Sequence, residues 1–527
     1  MNGHSSSVDA LLPRRFADPQ SVPVEPKRMC CCRVGTAAVV NGVLSAVFLC
    51  LAIGFPYAFD SILNHELKYV PGTIATRMWL KAPIPMYIRF HIFNITNAEE
   101  ILNDPKTTPV VEEIGPYTYL EFHERAYVNY HDNYTVTFYQ NRTWKYVPEL
   151  SNGSLSDVVT VLNTPLVSAA YLIKDLPFFI KDGFEAFLSH FNSTLFIKTN
   201  ISDFLFDGYE DPLLEFAYQL TPYFPGLPAY DRFGWFYNRS GNPYFDGVFN
   251  MYTGENDVSQ AAVIKQWNHK DNIPYYPSHC GMLNGSFGEG WPPKRARDSI
   301  SLFAVDLCRS VELDYKEDIE KFGVKGYRYW GSPDLFANAS SNPDNWCFSA
   351  NRTNGDEFFV PNGLQDSSEC RFGAPAFVSF PRFFHGDPWL REQVLGVPDP
   401  NDVDHMFHID MEPETGVPLA VSARFQINIL STGDKHIELL RGYPMRYYPI
   451  LWFSVNADMS ESIATYMKIV LAAPTVVPAV LWSLAGLFVV LTMFYSFKYY
   501  SYKKLFSSTP LVFDDELESE TPNALTS

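Results

Sequence analysis

The stretch VGTAAVVNGVLSAVFLCLAIGFPYAF, Val34 to Phe59, decides the architecture once it is set beside a second one, IVLAAPTVVPAVLWSLAGLFVVLTMFYSF, Ile469 to Phe497. Each exceeds the roughly 20 apolar residues that a helix needs to cross a bilayer. Between them, from Asp60 to Lys468, lie ten Asn-x-Ser/Thr sequons, at Asn94, Asn133, Asn141, Asn152, Asn192, Asn200, Asn238, Asn284, Asn338 and Asn351. None lies outside that stretch. Sequons are glycosylated only on the lumenal or extracellular side. The expected layout is a membrane hairpin: a cytoplasmic tail over 1–33, a transmembrane helix over 34–59, a glycosylated external domain over 60–468, a second transmembrane helix over 469–497, and a cytoplasmic tail over 498–527.

Charge agrees with that orientation. Arg14, Arg15, Lys27, Arg28 and Arg33 precede the first span, and Lys498, Lys503 and Lys504 follow the second. Positive residues favour the side that stays inside. The first apolar run is longer than the usual core of a cleaved signal peptide, roughly 7–15 residues, so an uncleaved anchor is expected. Pro474 and Pro478 predict a kink near the external end of the second span.

Composition bounds the rest. The external domain is long enough for one large core or two fused lobes. The chain holds 42 Phe, 31 Tyr, 39 Pro and 30 Gly, a mixture that suits strands joined by many turns. A net charge of −19 argues against nucleic acid as a partner, and leaves room for a local basic patch that meets an anionic lipid or particle. The acidic run from Asp514 to Glu520 reads as a solvated tail.

Periodicity divides the external domain. Tyr117 to Tyr130, Tyr134 to Tyr139 and Ala423 to Ile429 alternate apolar and polar residues, as half-buried strands do. Leu166, Ala169, Ala170 and Ile173 have helical spacing, as do Ile180, Phe184, Phe187 and Leu188, with Pro177 between the two groups. A third helix is expected over Glu312 to Phe322, with its charged residues exposed.

The eight cysteines fall into two groups. Cys30, Cys31, Cys32 and Cys50 lie before or inside the first span. Three adjacent cysteines beside a membrane entry suit S-palmitoylation. They lack the two- to four-residue spacing of a metal site. Cys280, Cys308, Cys347 and Cys370 lie in oxidising space, where spacing alone leaves three pairings open.

The sequence holds no His-Glu-x-x-His, no Gly-x-Ser-x-Gly, no phosphate-cradling loop and no Cys-x-x-Cys. Asp410 and Glu412 share one face of a strand, where carboxylates more often cap or pair than catalyse. No catalytic residue, metal or cofactor is expected.

Six ordered blocks carry a resemblance: Glu113-Ile114-Gly115-Pro116-Tyr117-Thr118-Tyr119; Gly208-Tyr209-Glu210-Asp211-Pro212; Cys280 to Gly285 with Trp291-Pro292-Pro293; Asp306-Leu307-Cys308-Arg309-Ser310; Asp410 to Gly416; and Pro449-Ile450-Leu451-Trp452. The chain resembles the class B scavenger receptor family, which includes a lysosomal integral membrane protein and insect sensory neuron membrane proteins. The resemblance implies an α+β fold: a strand-rich, barrel-like ectodomain with a helical apex bundle over about 164–206 and an internal hydrophobic tunnel, held by two transmembrane helices. It implies the pairs Cys280–Cys347 and Cys308–Cys370. A third short bridge of many members has no cysteine here between Ser349 and Val360.

The resemblance also implies ligand docking at the apex. Phe178, Phe179, Ile180, Phe184 and Phe187 exceed what a solvated helical pair needs. Most are expected to be bundle core, and the remainder to take up acyl chains or lipid particles. Phe179 is the candidate apolar contact. Lys174 and Lys181 are candidates for neutralising lipid carboxylates or phosphates, against the plainer reading of solvated lysines. The implied function is a cell-surface scavenger receptor for lipids, lipoproteins or anionic particles, embedded in the plasma membrane, with homo-oligomers left open. One alternative is an endolysosomal cargo or lipid-export receptor, to which Tyr502-Lys503-Lys504-Leu505 offers a weak sorting signal. A two-span channel is the remote alternative, since neither span carries a regular polar stripe.

Overall fold

A computed structural model describes residues 26–224, 226–349 and 360–507. The chain divides into two units, Met1–Asp60 with Leu471–Ser527, and Ser61–Val470.

The smaller unit is built on two long helices, α1 (Pro26–Glu66) and α5 (Glu461–Ser507), whose inner ends continue into the larger unit. Each contains a segment long and apolar enough to cross a membrane. Small and aromatic side chains join them. Ser45 donates to the Ala485 carbonyl at 3.1 Å, and Phe48 stacks on Phe488 with ring centroids 5.5 Å apart. A Cβ on Gly35 would lie 3.2 Å from the Tyr499 ring, so the missing side chain lets the helices approach. Asn41, Thr475, Ser483 and Thr492 donate to carbonyls of their own helix, which satisfies them without water. Helix α5 is continuous through Pro474 and Pro478.

The larger unit is dominated by a 13-stranded antiparallel sheet that curls into a nearly closed barrel. Its strands are β1 (Met86–Ile95), β2 (Val111–His131), β3 (Thr135–Tyr146), β4 (Val248–Tyr252), β5 (Ile264–Trp267), β6 (Ser299–Ala304), β7 (Arg309–Lys321), β8 (Val324–Trp330), β9 (Gln365–Asp366), β10 (Ala376–Ser379), β11 (His408–Glu412), β12 (Val417–Ser431) and β13 (Arg446–Asp458). The order is β6-β7-β8-β11-β12-β13-β1-β2-β3-β4-β5, with β9 on β10 and β10 on β12. The alternating stretches at 117–130 and 423–429 fall within β2 and β12, and that at 134–139 enters β3 from its second residue, Thr135. Phe90 of β1, Phe453 of β13 and Phe425 of β12 are register partners, and their rings form one apolar stripe across three strands.

Two expectations are corrected. Glu312 to Phe322 is not helical: β7 covers it as far as Lys321 and pairs on both sides, with β6 and β8. Val311 and Leu313 are buried while Glu312 and Asp314 are exposed, a period of two that the run of charge disguised. The helical segment also ends earlier than 206. Phe196–Asn200 is a strand paired with Val158–Leu162, followed by a π-helical turn at Asp203–Asp207.

Charge and sulfur hold the loops to the barrel. Glu121, wholly buried on β2, meets Arg142 and His123 at 2.7 and 2.8 Å, and His123 reaches Glu289 at 2.5 Å. Arg125 completes the cluster by pairing with Glu289. Burial pushes the Glu121 carboxyl up, but Arg142 and His123 outweigh it and hold it at about 2. Buried charges survive only when paired in this way. Disulfides join Cys280 to Cys347 and Cys308 to Cys370, with Cα atoms 6.0 and 6.4 Å apart.

Candidate functional site

Three helices lie together off the sheet. Helix α2 (Thr164–Leu172) starts where Asn163 caps the Leu166 N–H and Pro165 occupies the first turn. It turns Leu166, Val167 and Ala170 into the core. Helix α3 (Phe178–His190) starts directly after Pro177, five residues beyond the end of α2. Helix α4 (Pro212–Leu220) starts at Asp211, whose carboxylate accepts from the Leu213 and Leu214 N–H groups. The rings of Phe187 and Phe216, 5.5 Å apart, join α3 to α4.

Helix α3 is fastened on its polar side. Lys181 Nζ pairs with Asp434 at 2.6 Å. Asp182 lies 3.2 Å from His436 Nδ1, and Glu185 accepts the Glu438 N–H at 2.8 Å. Burial raises the Asp434 carboxyl, but its bond from Lys181 more than offsets this and lowers it. These three contacts run from one helix face to the loop after β12.

The apolar side chains of the first turn are nonetheless left in water. Phe178 and Phe179, at the first turn of α3, are 62 % and 60 % exposed. Leu172, Leu176 and Ile180 are exposed beside them in sequence. Beyond α3, Phe191, Phe216, Tyr218, Tyr223 and Phe224 are exposed as well. Fully burying one such side chain gains about 1.5–3 kcal/mol, so the fold leaves a large gain unused here. A concentration of this kind marks an interaction surface.

The expected ligand contacts divide. Phe179 lies in the exposed cluster. Lys174 is half-buried over the Tyr171 ring, 3.8 Å from its centroid, and no carboxylate pairs with it among the described residues. Lys181 does not fit its expected role, because Asp434 already balances its charge. Phe184 and Phe187 pack against the core, and Phe178 and Ile180 do not. Helix α4 went unread in the sequence, although Asp211-Pro212 before an amphipathic stretch is a legible start signal.

Sequons differ in how their amides are used. Asn133, Asn152, Asn192, Asn238 and Asn284 are exposed. Asn94 and Asn141 are half-buried. Asn200 Nδ2 donates to Asp203 and Asn338 Nδ2 to the Val360 carbonyl, so the atom that would carry the glycan already serves the fold. Asn351 lies outside the described residues. Cys32 is exposed and unbonded, while the side chains of Cys30 and Cys31 lie outside the described set. Asp410 accepts both bonds of an Arg328 fork, and Glu412 caps the turn at Glu414 and Thr415.

A family model described as the CD36 family matches residues 37–499. Scavenger receptor class B member 1 of Mus musculus is 32% identical over 466 residues, covering 86% of this chain and 88% of its own. Protein peste of Drosophila melanogaster is 28% identical over 414 residues, covering 78% and 73%. Lysosome membrane protein 2 of Rattus norvegicus is 28% identical over 460 residues, covering 85% and 91%.

Proposed function

The chain belongs to the CD36 family, and from that premise we propose that it is a cell-surface scavenger receptor that binds lipids or lipoprotein-like particles and mediates lipid uptake. The observation that carries this reading is the exposed apolar cluster at the α2–α3 turn. Phe178 and Phe179 supply rigid apolar area for acyl chains, and Lys174 supplies a cation for a carboxylate or phosphate at the same turn. Lipid captured there passes along a hydrophobic tunnel within the barrel. The larger unit is external and glycosylated, the two ends are cytoplasmic, and Cys30 to Cys32 carry palmitoyl groups. The receptor acts by binding and transfer, without catalysis. Lipid extraction and mass spectrometry of purified protein test it: bound lipid is expected, and its absence from protein made in lipid-fed cells contradicts the reading.

A second reading has support of its own. Likeness to a lysosome membrane protein extends over 85% of the chain, and it favours an endolysosomal receptor of the same fold. Surface biotinylation separates the two. A protein at the plasma membrane is labelled on intact cells, and an endolysosomal one is not.

A further inference from the structure

The three strands that present Phe425, Phe453 and Phe90 have a second face of opposite character. Successive residues of a strand point to opposite sides. One step along, Arg424, Ser454 and Arg89 are again register partners. With Trp452 they line a cavity of about 290 Å³, closed in part by Arg382, Asp404 and His405. That volume is far more than one water needs and lies at the small end of ligand pockets.

Its lining is rich in donors that the fold does not use. Arg382 is committed, holding both Glu113 oxygens at 2.8 and 2.9 Å. Among the described residues Arg424 donates to the backbone carbonyls of Val403 and Met406, at 2.9 and 2.7 Å, and to no carboxylate. Among the described residues Arg89 has no hydrogen bond or carboxylate partner. His405 is 1% exposed, and its Nδ1 accepts the Asn401 N–H at 2.9 Å. Nδ1 also lies 3.1 Å from the Asn401 carbonyl, so the ring proton can sit on either nitrogen; on Nε2 it meets no partner among the described residues, and a bound acceptor would select that tautomer. Burial holds this imidazole down to about 4, so it stays neutral at pH 7. Trp452 stacks on His91 with ring centroids 3.9 Å apart, and its indole N–H is buried without an acceptor among the described residues. Buried donors left unmade are costly, and native structures seldom keep them without a use.

The charges lean the same way. Arg89, Arg382 and Arg424 face two carboxylates, Asp404 at the exposed rim and Glu113 behind Arg382, which leaves one positive charge uncompensated.

We propose that this cavity binds a singly charged oxyanion headgroup, a phosphodiester or a carboxylate, with Arg89 as its free cation and the His405 and Trp452 N–H groups as neutral donors. The site is independent of the α2–α3 surface and stands whether or not lipid is captured there. Charge-assisted bonds from a guanidinium supply most of the affinity, and the neutral donors fix orientation.

Two tail-free probes distinguish the sources: glycerophosphoglycerol for a phosphodiester and butyrate for a carboxylate, each titrated calorimetrically into the full-length protein in neutral detergent. Saturable binding of at least one is expected, weakening as salt rises. Arg89→Met should weaken it at least tenfold with an unchanged thermal midpoint, and Arg89→Lys should retain part of it. The tighter probe names the source. If neither probe saturates, or Arg89→Met binds as the parent does, the proposal is overturned. Should Arg89→Met fail to fold, Ser454→Asp sets a carboxylate opposite Arg89 and must abolish binding; binding that survives it overturns the proposal equally.

Discussion

Helix α3 and strand β13 are both crowded with apolar side chains, and they dispose of them in opposite ways. From Arg446 to Ser454, β13 is buried at every position, paired on either side with β12 and β1. Helix α3 fully buries only Leu188. The apolar content of β13 is accounted for by folding, because each side chain has a neighbour. That of the first turn of α3 is not, because Phe178 and Phe179 face water while Lys181, Asp182 and Glu185 do the fastening. Side chains that folding leaves unexplained are the ones function must explain.

The largest expected effect breaks or sustains that contrast directly. Phe453→Ala removes a ring from the stripe shared with Phe90 and Phe425, and should cost about 3–5 kcal/mol. It should appear as a protein retained inside the cell. Phe178→Ser and Phe179→Ser should change stability by no more than about 0.5 kcal/mol, as substitutions at exposed sites do. Equal losses at both places would erase the distinction.

Disulfide removal comes next. Cys308→Ser opens a loop of 62 residues and should cost about 2–5 kcal/mol. Non-reducing peptide mapping of the parent should join the Cys308 peptide to that of Cys370; a link to Cys280 or Cys347 would contradict the structure.

Acid should act on the sheet before the helical cluster. Burial holds His405 and His408 down to about 4, below the ordinary value near 6.5. Their folded forms bind fewer protons than the unfolded chain does. The stability they secure is present above about pH 6.5 and is lost as pH falls toward 4. His123 runs the other way: burial lowers it, but Glu121 and Glu289 outweigh burial and raise it. Its contribution is complete below about pH 6.5 and is lost as pH rises through the raised value. Hydrogen exchange at pH 7 and pH 5 should therefore show β11 opening more readily at the lower pH and β2 protected at both. Loss of protection in β2 first would overturn this assignment.

The smallest effect is at the polar fastening. Lys181→Glu replaces an attraction to Asp434 with a repulsion and should cost about 1 kcal/mol. It should reduce uptake less than Phe179→Ser does. Lys174→Glu should impair only anionic ligands, and less so at high salt, because exposed charges are screened within about 10 Å at 0.1 M.

Much of this was legible in the sequence, for physical reasons. Two apolar runs of membrane length need no tertiary context to be recognised. Proline at 177 and the change of period after Thr164 placed α2 and α3, since a helix must repeat its apolar face every turn. What failed depended on neighbours distant in the chain. Glu312 to Phe322 looked helical because its charges masked the Val311–Leu313 alternation, and the two ladders that settle it come from β6 and β8. Lys181 looked free because Asp434, its partner, lies 253 residues away. The cavity beside Arg89 could not be read at all, because its lining comes from β1, β12, β13 and two loops brought together only by the fold.

The central claim is that the exposed first turn of α3 exists for ligand rather than for folding. Uptake of a fluorescent lipid emulsion by cells carrying the Phe178→Ser, Phe179→Ser double variant, at a surface level matched to the parent, tests it most directly. The account predicts that most of the uptake is lost while glycosylation and surface level are unchanged; undiminished uptake at matched surface level would contradict it.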